Sequence, residues 1–337
     1  MLGVGRGDDE REMYPIVYEN EVLLYNRSTY ITIMNDDEQF AFGEAQRSRE
    51  LGFLDELTYS RFTETLIAIA GLGSVGSETA IALAKAGFRL NIGDPDVVEP
   101  SNIARQYYFY SQIGRNKAYA LQDNLAAINP FLQVTAFPNG LTRENVSEFT
   151  HGAQIIFDGI DLKALPEIYA LHENARLLSV PVIMGLDLAG TALVQTYRYD
   201  LYEDLEPLGG AYSEEDIIDF VLKKQMVNEG SLSEAEFINY IYGLMPRLIN
   251  IRDIPYEQLY EAISREVDDG TIYQSPHTPR LLSALVVEVA RRISLGQEVK
   301  EIIKVDIPSE VRPFRENLTI FFKKAGLFGK VLLRYNT

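Results

Sequence analysis

Leu66-Ile-Ala-Ile-Ala70 runs straight into Gly71-Leu-Gly-Ser-Val-Gly76, and this junction decides the fold. An apolar run that stops at a glycine turn reads as a buried strand. The stretch Ser77 to Gly87 has Ala and Leu on one face and reads as a helix, with Gly87 as its C-terminal cap. A glycine-rich turn between strand and helix lets backbone N–H groups approach a phosphate. Gly71 makes the turn, Gly73 allows close approach with Ser74 beside it, and Gly76 lets the helix pack on the sheet. An acidic residue about twenty residues further on suits a ribose hydroxyl. Asp94, followed by Asp96, fills that place at the end of the next strand.

Outward from this unit, strands and helices alternate. Strands are predicted over 88–93, 132–137, 155–158, 182–185 and 191–199, and helices over 114–129, 142–150 and 162–179. Such alternation builds an α/β fold around a doubly wound, mostly parallel sheet with right-handed crossovers. Upstream, residues 21–34 read as two short strands around an Asn26-Arg27-Ser28 turn, and an arginine-bearing helical stretch covers about 38–60. Downstream, 211–270 is acidic and strand-poor, with helices predicted over 213–228, 233–242 and 255–268. Ser213 and Ser233 each open a capping-box pattern there. An apolar helix over 278–296, packed on the sheet or on a second subunit, and two tail strands, 317–322 and 329–335, complete the pattern. The chain divides into an N-terminal extension (1–45), a nucleotide-binding domain (46–200), an acidic helical insertion (201–277) and a C-terminal segment completing the fold and a dimer (278–337).

A formal net charge of −18 opposes broad contact with a phosphate backbone, so nucleic acid is not an expected partner. The absence of cysteine excludes disulfides, cysteine-based zinc sites and cysteine nucleophiles together. With only His151, His172 and His277, a histidine-rich metal site is not expected, and His277 reads as a loop or capping residue. No long uncharged apolar run and no signal-peptide core stand out, which sets the cytoplasm, away from any membrane, as the expected location.

Asp94-Pro-Asp96, Ser101-Asn-Ile-Ala-Arg-Gln106, Gly114-Arg-Asn-Lys117 and Asp158-Gly-Ile-Asp161 follow the glycine turn in order. From about residue 47 to residue 198 this succession resembles the ThiF/MoeB/HesA superfamily, bacterial relatives of ubiquitin-activating enzymes. The resemblance implies an ATP- and Mg²⁺-dependent adenylyltransferase with a Rossmann-like domain. Asp94 would hold the ribose, Asn102 and Arg105 the triphosphate, and Gln106 the loop that carries them. Lys117 would neutralise phosphate charge and Asp161 would hold Mg²⁺, with Asp158 as the alternative because Leu162 departs from the usual Asn or Ser. The family also brings an arginine from a partner subunit. Arg47 and Arg49 lie at a suitable place upstream, and Arg49-Glu-Leu-Gly52 fits an Arg-x-x-Gly pattern better. A homodimer follows from that implication.

The family's structural zinc and its cysteine thioester both require cysteines that this chain lacks. What remains is adenylation of a carboxylate, on a peptide or a small ubiquitin-like protein, followed by transfer to an external nucleophile. Some cysteine-independent members of the family this chain resembles act in the maturation of peptide natural products. Other readings stay open: a nicotinamide-dependent oxidoreductase, a non-catalytic partner subunit, and dehydration of a modified tRNA base.

Overall fold

The structure, a computed structural model, describes residues 13–18, 21–26, 41–43, 45–46, 48–49, 55–264 and 275–335. Two N-terminal strands, β1 (Met13–Tyr18) and β2 (Glu21–Asn26), pair antiparallel with Met13 opposite Asn26. Strand β2 coincides with the first strand of the pair expected over 21–34, and β1 was not foreseen; the expected partner strand and most of its turn, residues 27–34, lie outside the described residues.

After α1 (Glu56–Glu64), the main sheet takes β3 (Leu66–Ala70), β4 (Arg89–Gly93), β5 (Val134–Phe137), β6 (Ile155–Asp158), β7 (Val182–Leu188), β8 (Thr191–Tyr197) and β9 (Ile302–Asp306). Their order is β5-β4-β3-β6-β7-β8-β9. Pairs among β5, β4, β3, β6 and β7 are parallel, whereas β7–β8 and β8–β9 are antiparallel. The sheet is thus mostly parallel, and the chain reverses its direction of winding between β3 and β6. A crevice opens at such a switch point, outside the carboxyl ends of the strands.

The period-two alternation of the strands divides the core. Ile67, Ile69, Ile155, Phe157 and Ile183 face α2 (Ser74–Lys85), α3 (Lys117–Ile128) and the later helix α9 (Thr278–Ser294). Ala68, Ala70, Ile156, Val182 and Met184 face the other way. There they meet α4 (Val146–Phe149) and α5 (Leu165–Leu177), together with α6 (Glu214–Asn228) and α7 (Glu234–Leu248) of the acidic insertion. Phe220, Phe237, Ile241 and Leu244 belong to that same core, so the insertion covers one face of the sheet.

Ser213 and Ser233 cap α6 and α7 with complete capping boxes, as the sequence indicates. Asp216 also joins the two helices through both oxygens to Arg247, at 2.8 Å each. The helix α8 (Tyr256–Ser264) follows. In α9 the residues Leu282, Val286, Val289 and Ala290 are buried against the chain's own sheet. Its apolar face is therefore no argument for a second subunit.

The tail departs from expectation. After a short α10 (Ile307–Val311), residues Phe314–Tyr335 form one helix, α11, and the predicted strands 317–322 and 329–335 do not exist. Short apolar runs satisfy both periods. Leu318, Phe321 and Phe322 alternate poorly, yet they stand at the i, i+3, i+4 spacing of a helix face. Asn317 fastens the helix start by donating to the Ser309 carbonyl at 2.7 Å. Strand β9 was not foreseen; its five residues gain their place only from pairing with β8. Among the described residues, no helix is long and apolar enough to cross a membrane.

Candidate active site

The glycine turn is fixed by close packing. Gly71 has φ +81°, and a Cβ there would lie 2.6 Å from the Gly159 carbonyl oxygen. A Cβ on Gly76 would lie 1.8 Å from the Gly71 carbonyl oxygen. Gly73 differs: nothing lies within 4 Å of a Cβ built there. Gly73 is also the N-cap of α2, which has neither a side-chain cap nor an acidic residue in its first turn. Space is thus left beside Gly73 at the switch point, where a helix N-terminus and its dipole favour an anion.

Asp94 secures the turn. Its Oδ2 accepts from the Leu72 N–H at 2.7 Å and its Oδ1 from the Asp96 N–H at 2.9 Å. Burial raises its pKa, while nearby Lys117 acts against that rise. Buried Lys117 opens α3, with its Nζ 2.8 Å from Asp96 Oδ2 and 3.9 Å from Asp94 Oδ1. Asp96 is exposed, its side chain two-thirds accessible at 67%. Asp94, expected at the ribose, thus has both oxygens held by backbone donors, and Asp96 carries the accessible carboxylate of the pair. Tyr108, a residue the sequence did not single out, donates to the Leu72 carbonyl at 2.9 Å and closes the turn from the other side.

The loop after β4 organises the next group. Buried Asn102 accepts from the Glu99 N–H at 2.9 Å, which makes it a loop-former. Arg105 donates to the Ser101 carbonyl at 2.8 Å and is half-buried. Gln106 is buried and its Oε1 has no hydrogen-bond partner. Asn116 caps α3 and donates to the carbonyls of Asp94 and Pro138, tying this loop to the end of β4.

At the end of β6 the two aspartates separate. Asp158 is buried, with Oδ1 accepting from the Ile160 N–H and Oδ2 lying 3.3 Å from His172 Nε2. His172 Nδ1 meets the Tyr199 hydroxyl at 2.9 Å, and Tyr199 accepts from the Leu208 N–H at 3.1 Å. Asp161 is exposed and uses Oδ1 to cap the next turn at the Lys163 N–H. The loop between them presses on the glycine turn through Gly159 and Gly71. Of the upstream arginines, Arg49 is exposed in a turn, and Arg47 lies outside the described residues. His277 precedes α9 and contacts Ser275 rather than any of these groups. A groove of 580 Å³ lined by Arg61, Gln154 and Asp200 lies at the opposite, amino end of β3 and β6.

Comparison with known proteins agrees with this arrangement. A family model described as "ThiF family" matches residues 45–218. The sulfur carrier protein adenylyltransferase of Thermus thermophilus is 26% identical over 233 residues, 65% of this chain and 83% of that protein. The probable adenylyltransferase/sulfurtransferase MoeZ of Mycobacterium tuberculosis is 27% identical over 237 residues, 66% of this chain but only 57% of that one. Among solved structures, PaaA superposes with a TM-score of 0.54 at 18% identity, over 84% of this chain and 75% of PaaA. The AMP complex of the Escherichia coli tRNA N6-threonylcarbamoyladenosine dehydratase TcdA gives 0.51 at 18% identity, over 79% and 98%. These two likenesses establish the fold alone. The family match covers half of the chain, and its span takes in every motif from the glycine turn to Asp161. The chain belongs to the ThiF family and is an enzyme of its adenylyltransferase type.

Proposed function

We propose that the protein binds ATP at this crevice and adenylates a carboxylate of a peptide or small ubiquitin-like protein. The carboxylate oxygen attacks the α-phosphorus, and the bond to the β-phosphate's bridging oxygen breaks. Pyrophosphate leaves with the electron pair, and an acyl-adenylate remains. The observation that carries this reading is the N-terminus of α2 at Gly73, which has no side-chain cap, with Lys117 beside the Asp94 that holds Leu72, and with Gly159, two residues before the exposed Asp161, packed on Gly71. The triphosphate is placed over Gly71, Gly73, Ser74 and Gly76. Fixed positive charge and oriented N–H groups then stabilise oxygens that gain charge in the transition state. Asp96 meets the ribose, and Asp94 holds the turn that positions it. Asn102 and Gln106 support Arg105.

No group of three or more acidic or histidine side chains among the described residues forms a metal site by itself. Mg²⁺ does not need one, since it is commonly held by one or two carboxylates, phosphate oxygens and water. Asp161 suits that donor set because its carboxylate is exposed and keeps free lone pairs beside the glycine turn. Bound Mg²⁺ would neutralise phosphate charge there. Arg49 reaches the crevice of a second copy in a homodimer, and the β1–β2 pair holds the substrate. Without a cysteine the acyl group passes directly to an external nucleophile. The ATP requirement suits the cytoplasm.

Calorimetry with ATP and Mg²⁺, and separately with NAD⁺, tests the reading. ATP should bind and NAD⁺ should not. Arg105→Ala and Asp161→Ala should each weaken ATP by about tenfold or more, the scale of one charged contact. Preferential NAD⁺ binding would replace adenylation with hydride chemistry.

A further inference from the structure

Helix α11 has two long sides with different fates. Asn317, Ile320, Lys324 and Leu327 stand at the three- and four-residue spacing of one side. That side is fastened to the body. Asn317 donates to the Ser309 carbonyl at 2.7 Å, Lys324 Nζ donates to the Arg252 carbonyl at 2.6 Å, and Leu327 packs against the core that the insertion covers. Phe314, Leu318 and Phe321, at the same spacing, turn the other way with Phe322 beside them, and all four are exposed. The three phenylalanines are 79%, 63% and 65% accessible. Because the inner side is pinned, no rotation of the helix can bury them.

The charge beside this stripe is positive. Residues 312–337 hold six basic residues, Arg312, Arg315, Lys323, Lys324, Lys330 and Arg334, against one acid, Glu316, in a chain whose formal net charge is −18. Arg312 takes up Glu316 and also Glu257. Arg315 and Lys323 are exposed, and neither has an acidic partner among the described residues. Seven residues apart, Arg315 and Phe322 share one flank of the helix, and Lys323 lies beyond them. A strip of unpaired cations therefore borders the apolar stripe.

Phenylalanine and leucine on one side of a helix, with cations along the border, suit the boundary between an apolar and an anionic phase. We propose that α11 is a lipid-surface anchor. It lies in the plane of an anionic bilayer, with Phe314, Leu318, Phe321 and Phe322 among the acyl chains and Arg315 and Lys323 at the headgroup phosphates. It does not cross the membrane, since no helix of the described residues is long and apolar enough. A second copy of this chain suits the stripe less well. A two-fold pairing sets the same surface against itself. Arg315 and Lys323 would then meet like charge, because Arg312 already holds Glu316. The acidic body does not cancel the attraction to lipid, since at physiological salt charges more than about 8 Å apart are largely screened. The anchor is independent of the adenylation reading, and it departs from the location expected from the sequence.

The test is cosedimentation of the full chain with vesicles of phosphatidylcholine, alone or mixed with phosphatidylserine, at low and at physiological salt. The protein should bind the mixed vesicles about fivefold or more tighter than phosphatidylcholine alone, and less as salt rises. The double substitution Phe314→Ser with Phe321→Ser should weaken binding about tenfold or more. Lys323→Glu should weaken binding to the mixed vesicles by about fivefold or more and leave the weaker binding to phosphatidylcholine unchanged. Each variant should keep the parent's thermal midpoint, because all three positions are exposed. No binding to the mixed vesicles, equal binding to both kinds, or undiminished binding by the phenylalanine variant overturns the anchor. Sedimentation velocity without lipid examines the other occupant. A dimer that the phenylalanine substitutions dissociate assigns this face to a second copy and overturns the anchor as well.

Discussion

Gly73 and Gly76 stand three residues apart and answer to different constraints. A methyl group at position 76 would collide with the Gly71 carbonyl, where no side chain can yield. Gly76→Ala should cost about 4 kcal/mol or more, among the largest single-substitution effects, in urea unfolding. A methyl group at position 73 meets nothing, and φ there is negative, at −67°. Gly73→Ala should fold normally and bind ATP at least about tenfold more weakly, because the methyl enters the space kept for phosphate. Asp187, near the end of β7, gives a prediction in pH: burial raises its pKa against the pull of the Thr278 hydroxyl and the Gly190 N–H. Its folded pKa of about 6 lies above the ordinary 3.8, so its contribution to stability is fully present below that lower value. It is lost as pH rises through about 6. Relative to Asp187→Asn, the native protein should lose up to about 3 kcal/mol between acid and neutral pH, read by urea unfolding at each pH. Spacing from the glycine turn marked Asp94 in the sequence, and the family resemblance marked Lys117 and Asp161. Spacing could not reveal that the Asp94 oxygens are used by backbone N–H groups while Asp96 stays open. Asp187 carried no signal, since one acid in Val182-Ile-Met-Gly-Leu-Asp-Leu188 looks like the end of a strand.

At the scale of elements, the parallel strands and their helices were readable because each has a strong apolar run and a turn or cap beside it. Leu66–Ala70 and Ile155–Asp158 match their predicted bounds. The elements that failed have weak local signals. Strand β9 exists through β8, and the tail helix α11 contains apolar runs too short to fix a period. Gly326 tests the helix directly. It lies inside α11 with nothing within 4 Å of a Cβ position. Gly326→Ala should stabilise by about 0.5–1 kcal/mol in thermal unfolding if the segment is helical. The Asp216–Arg247 pair is a second test, with Arg247 42% and Asp216 25% accessible. Arg247 holds the Asp216 carboxyl well below the usual range, so the pair contributes above the ordinary Asp pKa and fades as pH falls. Partial exposure limits its value, and Arg247→Ala should cost about 1 kcal/mol at neutral pH and less in acid.

For the whole molecule, the reading of Arg49 predicts complementation. Arg49→Ala and Asp161→Ala should each be inactive in ATP–pyrophosphate exchange, while a mixture regains part of the activity through dimers that hold one intact crevice. A monomer in sedimentation, or no recovery on mixing, removes the arginine in trans. The helical insertion has a different consequence. The inner side of α6, Ile217 and Phe220, shares a core with Ala68 and Ala70 of the central strand, while Ile218, Val221 and Leu222 on the same helix face outward. Residues 201–277 therefore cannot be exchanged between relatives as a cassette, because the exchange would strip one wall from the sheet that carries the glycine turn. Only the outward positions are free to be rewritten, so substitutions accumulate on one side of this helix while the sheet holds the other side fixed.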